Sequence, residues 1–288
     1  HDWYLSANLS DDKNLDGHLL PGLEPKGIPR NLKGTVLPFN YNNFAELEDL
    51  VNAHDIGVIK MEVMRNNEPE DNFLHKVRQL ATDKKIVLIF DECSSGFRQS
   101  YGGLHKVFGV EPDMAMFGKA LGNGYAITAI IGKREVMEAT QTTFISSTFW
   151  TERIGPTAAL KTLEVMNRVK SWDQITTTGR NISTRWKALA NKYGLSITTS
   201  GIPALAGYSF NSDKALAYKT LITQEMLAKG YLATTNVYAC TEHTENIING
   251  YFEALDPIFA LIKECEEGRD ILTLLNGPVC HGNFKRLN

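Results

Sequence analysis

The run Ile86-Val87-Leu88-Ile89-Phe90, followed at once by Asp91-Glu92, constrains the fold of this chain more than any other feature. It offers no polar face to solvent and is rich in β-branched residues. It is too short for a helix of ordinary length, so it predicts a strand buried on both faces, as in a parallel sheet. The surroundings agree. Phe44, Leu47, Leu50 and Val51 share one helical face, and Asn43 with Glu46 makes a cap-like start. Val58-Ile59-Lys60-Met61 reads as a strand. Phe73, Val77, Leu80 and Ala81 mark a second helix, entered after Pro69 and Asp71. Further strands are predicted at 113–117 and 126–131, with a turn at Gly122-Asn123-Gly124. Strands alternating with helices imply an α/β architecture with a mostly parallel sheet and right-handed crossovers.

Past Gly155-Pro156 the pattern changes. Ala159, Leu160, Leu163, Met166 and Val169 keep helical spacing, and Trp172, Ile175, Ile182, Trp186 and Leu189 continue it. Strands follow at 197–199 and 204–210, then a helix from Asp213 ending at Gly230, and a strand at 232–238. A helix over 244–266 contains Pro257 as a kink or break. The expected organisation is a large domain over 1–155, then a linking helix and a smaller C-terminal α+β domain over 156–288. With 288 residues, 43% of them hydrophobic, the chain has enough apolar material for both.

Composition removes several function classes. The net charge is −3 with lysine and arginine scattered, so no nucleic-acid footprint is present. No apolar run has the length to span a bilayer. Cys93, Cys240, Cys265 and Cys280 form no C-x-x-C pair and read as reduced thiols of a cytoplasmic protein. The histidines show no metal-ligand spacing, so no metal is expected. His105 reads as a loop or interface residue.

Asp91 and Glu92 close the apolar strand, and ligands bind open α/β sheets at the carboxyl ends of strands. Lys119, in Phe117-Gly118-Lys119-Ala120, follows another strand and precedes a glycine-containing loop. Taken singly, the acid also reads as a cap or surface ion pair, and the lysine as an ordinary solvated one. Together, at neighbouring strand ends, they suit pyridoxal phosphate. That cofactor needs a lysine for its aldehyde and a carboxylate against its ring nitrogen. A lysine so placed also moves a proton at the substrate Cα.

Phe90-Asp91-Glu92-Cys93-Ser94-Ser95-Gly96-Phe97-Arg98 resembles the Asp-Glu-x-x-x-Gly-Phe-Arg segment of class III aminotransferases. Val110-Glu111-Pro112-Asp113 and Phe117-Gly118-Lys119-Ala120-Leu121-Gly122-Asn123-Gly124 resemble the family's next block, in the same order and spacing. Tyr101-Gly102-Gly103 and Phe39-Asn40-Tyr41-Asn42-Asn43 resemble the glutamate-1-semialdehyde aminomutase branch. The resemblance implies the pyridoxal-phosphate transferase fold type I. It implies that Lys119 is the Schiff-base lysine and that Asp91 binds the ring nitrogen. It places Cys93 beneath the ring and Ser94 near the cofactor's phenolic oxygen. Thr148 becomes the donor to the cofactor phosphate from a neighbouring protomer, which implies a homodimer with shared active sites. Glu62 matches the acid of the family's Glu-Pro pair, near the cofactor, with a structural salt bridge as its expected role.

The sequence also departs from the family. Val63 follows Glu62 where proline is usual, and Ser94 replaces a glutamine. Gly124-Tyr125-Ala126 and Trp150-Thr151-Glu152 differ from the usual segments. The family's glycine-rich phosphate loop and ring-stacking aromatic belong upstream of the position matching His1, so the chain is expected to be N-terminally incomplete. The implied reaction passes an amino group between a small amino donor and a carbonyl acceptor. An intramolecular amino shift remains an alternative. Two other classes stay open: a non-catalytic relative, and a metal-dependent hydrolase using Asp91, Glu92 and Glu62.

Overall fold

A computed structural model of the chain describes residues 31–32, 34–146 and 151–282. The first half is built on a four-stranded sheet in the order β1-β2-β3-β4. The strands are β1 (Val58–Glu62), β2 (Val87–Glu92), β3 (Met114–Phe117) and β4 (Ala129–Gly132). The first three run parallel, and β4 returns antiparallel to β3. Helix α1 (Phe44–Ala53) precedes β1, and α2 (Phe73–Asp83) connects β1 to β2. The cap expected at Asn43 forms, its side chain accepting from the Glu46 backbone N–H.

Strand alternation separates the two faces of the sheet. Ile59 and Met61 lie beside Leu88 and Phe90 in the register. This face is buried against Leu47 and Val51 of α1 and Phe73, Leu74 and Val77 of α2. Each such side chain contributes roughly 1.5–3 kcal/mol by leaving water. The opposite face carries Lys60, Glu62, Ile89, Asp91 and Met116. It is only partly covered among the described residues. Strand β2 therefore alternates buried and half-buried positions, where its apolar run predicts burial on both sides.

Asp113 is a buried staple at the start of β3. Its carboxylate accepts from the Leu88 amide at 2.8 Å, from Arg78 at 2.8 Å and from Lys133 at 2.7 Å. One side chain thus ties β2, α2 and the end of β4 together. Burial pushes this carboxyl up, but the Leu88, Lys133 and Arg78 contacts outweigh it and hold it below the usual aspartate range. The short helices α3 (His105–Phe108) and α4 (Arg134–Met137) flank the sheet in sequence.

In the second half, α5 (Ile154–Val169) and α6 (Ser171–Lys192) meet at Lys170, whose φ is 49°. Strands β5 (Ile197–Ser200) and β6 (Gly207–Phe210) pair antiparallel, with α7 (Ala215–Ala228) and α8 (Glu245–Glu266) beside them. Trp186 centres a second apolar cluster with Tyr208, Phe210, Tyr218 and Phe259. The Trp186 and Tyr208 ring centroids are 4.7 Å apart, and Trp186 Nε1 donates to the Tyr251 hydroxyl at 3.0 Å.

Three expectations are corrected here. Residues 232–238 form no strand, only a bridge between Asn236 and Gly207. The predicted strand over 204–210 shortens to β6, because Pro203–Leu205 forms a 3-10 turn. Pro257 does not break α8, which runs through it. The lost hydrogen bond and ring clash cost about 3 kcal/mol. Burial of Phe252, Leu255, Ile258, Phe259 and Ile262 along one side of the helix outweighs that. Among the described residues, no helix is long and apolar enough to cross a membrane.

Candidate active site

The carboxyl ends of β2 and β3 are adjacent by register, with Asp91 beside Met116 and Glu92 beside Phe117. Asp91 falls on the half-covered face. Its Oδ2 accepts from Lys60 Nζ at 2.8 Å, and its Oδ1 from the Cys93 amide at 3.1 Å. Partial burial pushes this carboxyl up. The Lys60 and Cys93 hydrogen bonds, with the charges of Lys60 and Lys119, outweigh burial and leave it below its ordinary value. Asp91 is an ionised carboxylate at neutral pH with both oxygens oriented.

Lys119 opens a 3-10 turn at Lys119–Leu121, directly beyond β3. Its φ of 42° lies in the left-handed region, where a non-glycine residue costs on the order of 1 kcal/mol and persists only if its surroundings hold it. Glycine at 118 leaves room here: a Cβ at that position would lie 2.7 Å from Cys93 Sγ, which would have to turn aside. This close approach lets the turn after β2 meet the turn after β3. Lys119 Nζ donates to Ser94 Oγ across that junction. The structure thus brings Asp91, Cys93, Ser94 and Lys119 into one locus at the two strand ends.

Glu92 points to the opposite, buried face. It is fully buried and accepts from Ser95 Oγ at 2.5 Å, from the His105 amide at 2.9 Å and from His105 Nδ1 at 2.8 Å. Burial pushes its carboxyl up, but the His105 and Ser95 hydrogen bonds prevail and lower it. His105 is therefore a buried anchor of the strand end, a role set by the donor demand of a buried carboxylate. Glu62 shares the face of Asp91 and pairs with Arg65 at 3.2 Å. Since Glu92 faces away from Asp91 and Glu62, the three carboxylates do not converge as a hydrolase metal site would need. Thr148 lies outside the described residues.

A cavity of about 670 Å³ opens beside Lys119, with Phe97, Arg98, Tyr125, Lys161 and Tyr238 among its walls. Its size suits a cofactor-scale ligand. Its walls take in Lys119 but not Asp91, whose carboxylate is engaged on the sheet face. Arg98 is anchored through Nε to the Ser94 carbonyl at 3.1 Å, and Thr176 of α6 donates to the Arg98 carbonyl at 3.1 Å. Sequence reasoning missed both Lys60 and Arg98 at this locus. Lys60 had a signal: a lysine inside an apolar strand of a parallel sheet needs a partner.

The donor set fits pyridoxal 5'-phosphate. An ionised carboxylate with lone pairs to spare suits a ring N–H, and a primary amine suits an aldehyde. The hydrogen bond from Lys119 Nζ to Ser94 Oγ links the segments bearing them.

Comparison with known proteins bears on the family and the fold. A family model described as aminotransferase class-III matches residues 62–239. A 3-aminobutyryl-CoA aminotransferase of Cloacimonas acidaminovorans (strain Evry) is 34% identical over 255 residues, covering 83% of this chain and 61% of that protein. A glutamate-1-semialdehyde 2,1-aminomutase of Natranaerobius thermophilus is 26% identical, covering 80% of this chain and 59% of the relative. The chain therefore spans about three fifths of the length of these curated relatives. Among solved structures, the PLP internal aldimine form of the FumI protein of Sphingopyxis sp. MTA144 superposes with a TM-score of 0.79. It is 21% identical and covers 88% of this chain and 64% of that one. An omega-transaminase from Sphaerobacter thermophilus gives a TM-score of 0.76 at 21% identity, over 93% and 66% of the two chains. These likenesses show the fold, the α/β architecture of fold type I. With the family model matching well over half its length, the chain belongs to the class III aminotransferases.

Proposed function

We propose that this chain carries the catalytic part of a pyridoxal-phosphate enzyme that transfers an amino group from a small amino compound to a carbonyl compound. The observation that carries the reading is the junction at the strand ends. There Lys119 Nζ reaches Ser94, and Asp91, three residues before Ser94, lies within the field of the same lysine. Bound there, the cofactor would supply an aldehyde for capturing amines and a ring that accepts an electron pair. Asp91 would hold the ring nitrogen and keep a positive charge favourable at that atom. Lys119 Nζ would hold the aldehyde carbon and, once free as an amine, take and return a proton at the substrate Cα. Ser94 Oγ orients that amine. Cys93 would pack beneath the ring, and Glu62 stays a structural ion pair with Arg65 at the edge of the site.

The remaining assignments extend this reading. Thr148 would donate to the cofactor phosphate of a neighbouring protomer, making the working unit a homodimer with shared sites. The large cofactor-binding domain covers 1–155 and the small one 156–288, supported by the distinct cluster around Trp186, while Ile202 packs with the sheet cluster and Ala159 with Phe117. Four free cysteines suit the cytoplasm. Similarity to an aminomutase keeps a second reading, in which the amine returns to an adjacent carbon of the same molecule. A requirement for a separate keto-acid acceptor separates the two.

The test is reductive trapping. The full chain is incubated with pyridoxal 5'-phosphate, reduced with borohydride, digested and mapped by mass spectrometry. A pyridoxyl adduct on the Lys119 peptide is expected, lost in Lys119→Ala and kept in Lys60→Met. No adduct, or one spread over surface lysines and unchanged in Lys119→Ala, would refute the reading.

A further inference from the structure

The geometry points to Lys60 as a positioning residue for Asp91: its ammonium fixes the carboxylate and weakens its hold on a protonated ring nitrogen. This rests on the reading of Asp91 as the ring-nitrogen partner and names what sets the strength of that contact.

The contact is dictated by the sheet. Lys60 is opposite Ile89 in the parallel register and Asp91 opposite Glu62, so Lys60 and Asp91 are diagonal neighbours on one face. Lys60 rises from the middle of β1 between Ile59 and Met61, both buried. Its side chain is about half exposed (51%), that of Asp91 much less (23%), and the two meet at 2.8 Å. A lysine rooted in a strand roams less than one on a loop, and Ile89 and Met116 make the surroundings partly apolar. Two further charged groups among the described residues bear on Asp91. Lys119 acts from beyond β3 with its amine on Ser94, and Glu62 along β1 is engaged by Arg65.

The consequence is electrostatic. A carboxylate has about four lone-pair positions, so Oδ2 on Lys60 and Oδ1 on the Cys93 amide still leave room for a ring N–H. Two fixed donors set the plane of the carboxylate before any ring arrives. The ammonium also cancels part of the negative charge that would stabilise a protonated ring. With Lys60 present, the ring is a weaker electron acceptor than an isolated aspartate would make it. Removing the charge should shift the ring toward its N-protonated form by about threefold or more at fixed pH, from one unit charge a few ångströms beyond the carboxylate.

The experiment loads the full chain with ring-15N pyridoxal 5'-phosphate and follows the ring nitrogen by NMR across pH in five proteins: wild type, Lys60→Met, Lys60→Gln, Lys60→Arg and Asp91→Asn. A second arm titrates the Asp91 carboxyl by 13C NMR in the cofactor-free protein. Asp91→Asn should deprotonate the ring. Lys60→Met and Lys60→Gln should protonate it further and move the Asp91 titration to higher pH, and Lys60→Arg should follow the wild type. A merely structural lysine would change the melting temperature and leave both titrations in place. If Asp91→Asn moves the ring signal while the neutral Lys60 variants overlay the wild type, this inference alone is overturned. If Asp91→Asn leaves the ring signal unchanged, or no cofactor binds, the functional reading falls and this inference with it.

Discussion

Replacing Glu92 with leucine strips a buried carboxylate from three donors at once. Glu92 is fully buried and Ser95 is only 2% exposed, so water cannot take over. The Ser95 hydroxyl, the His105 amide and His105 Nδ1 each lose their acceptor. An orphaned buried donor costs about 1–3 kcal/mol. Two of the three can be partly rescued. The Ser95 hydroxyl can rotate, and His105 has a second carboxylate near Nε2, that of Glu111 at 3.7 Å. The His105 amide has no such freedom. The apolar leucine returns some burial energy, leaving an expected net loss of about 3 kcal/mol. Urea denaturation followed by circular dichroism, in the cofactor-free chain, reads this as a lower midpoint at unchanged slope. Glu92→Gln keeps an acceptor for the His105 amide and should lose about half as much. Because the folded Glu92 carboxyl sits below its ordinary value, its contribution is complete above the unfolded glutamate range. It drains away as pH falls through the lower folded value. The gap between wild type and Glu92→Gln should therefore close in acid. A Glu92→Leu loss under about 1 kcal/mol, or a gap that widens in acid, would refute the account of this cluster.

Two further outcomes follow from packing. Gly179→Ala in α6 should destabilise by about 1–3 kcal/mol although alanine is the better helix former, because its Cβ would lie 1.8 Å from the Pro203 carbonyl oxygen. A melting temperature at or above wild type would show that the α6 contact is looser than described. Trp186→Ala should cost about 3–5 kcal/mol, through lost volume and the lost bond to Tyr251, read as a lower urea midpoint for the second half.

The parts legible in the sequence are those with strong local signals. The periodicity of α1 and α2 and the Asn43 cap reappear as predicted, and the run at 86–90 reappears as a strand, half-covered on one face where its composition predicts burial on both. The strand over 232–238 does not form because its backbone is met through isolated bonds, the Val237 amide to the Ala206 carbonyl and the Tyr208 amide to the Thr235 carbonyl, which no period announces. Pro257 leaves α8 unbroken because the local cost of proline is a short-range quantity, while the burial that overrides it comes from residues distant in sequence. At the candidate site, the turn residues from Asp91 to Ser94 and Lys119 were visible as motif neighbours. Lys60 carried only the signal of a lysine inside an apolar strand; which partner it meets depends on which strand lies beside β2 and in what register. His105 was misjudged for a related reason: nothing near it in sequence reveals that Glu92 points inward.

The sheet and the cavity walls answer to different parts of the chain. Asp91 is held by the hydrogen-bond ladder of β1 and β2, and the lysine turn by its abutment on Cys93. The walls at 122–125 and 238–241 lie outside every strand and long helix. Loops of that kind can lengthen, shorten or exchange side chains while the hydrogen-bonded frame keeps its spacing. A lineage built on this frame can thus change its diet without relearning its trade.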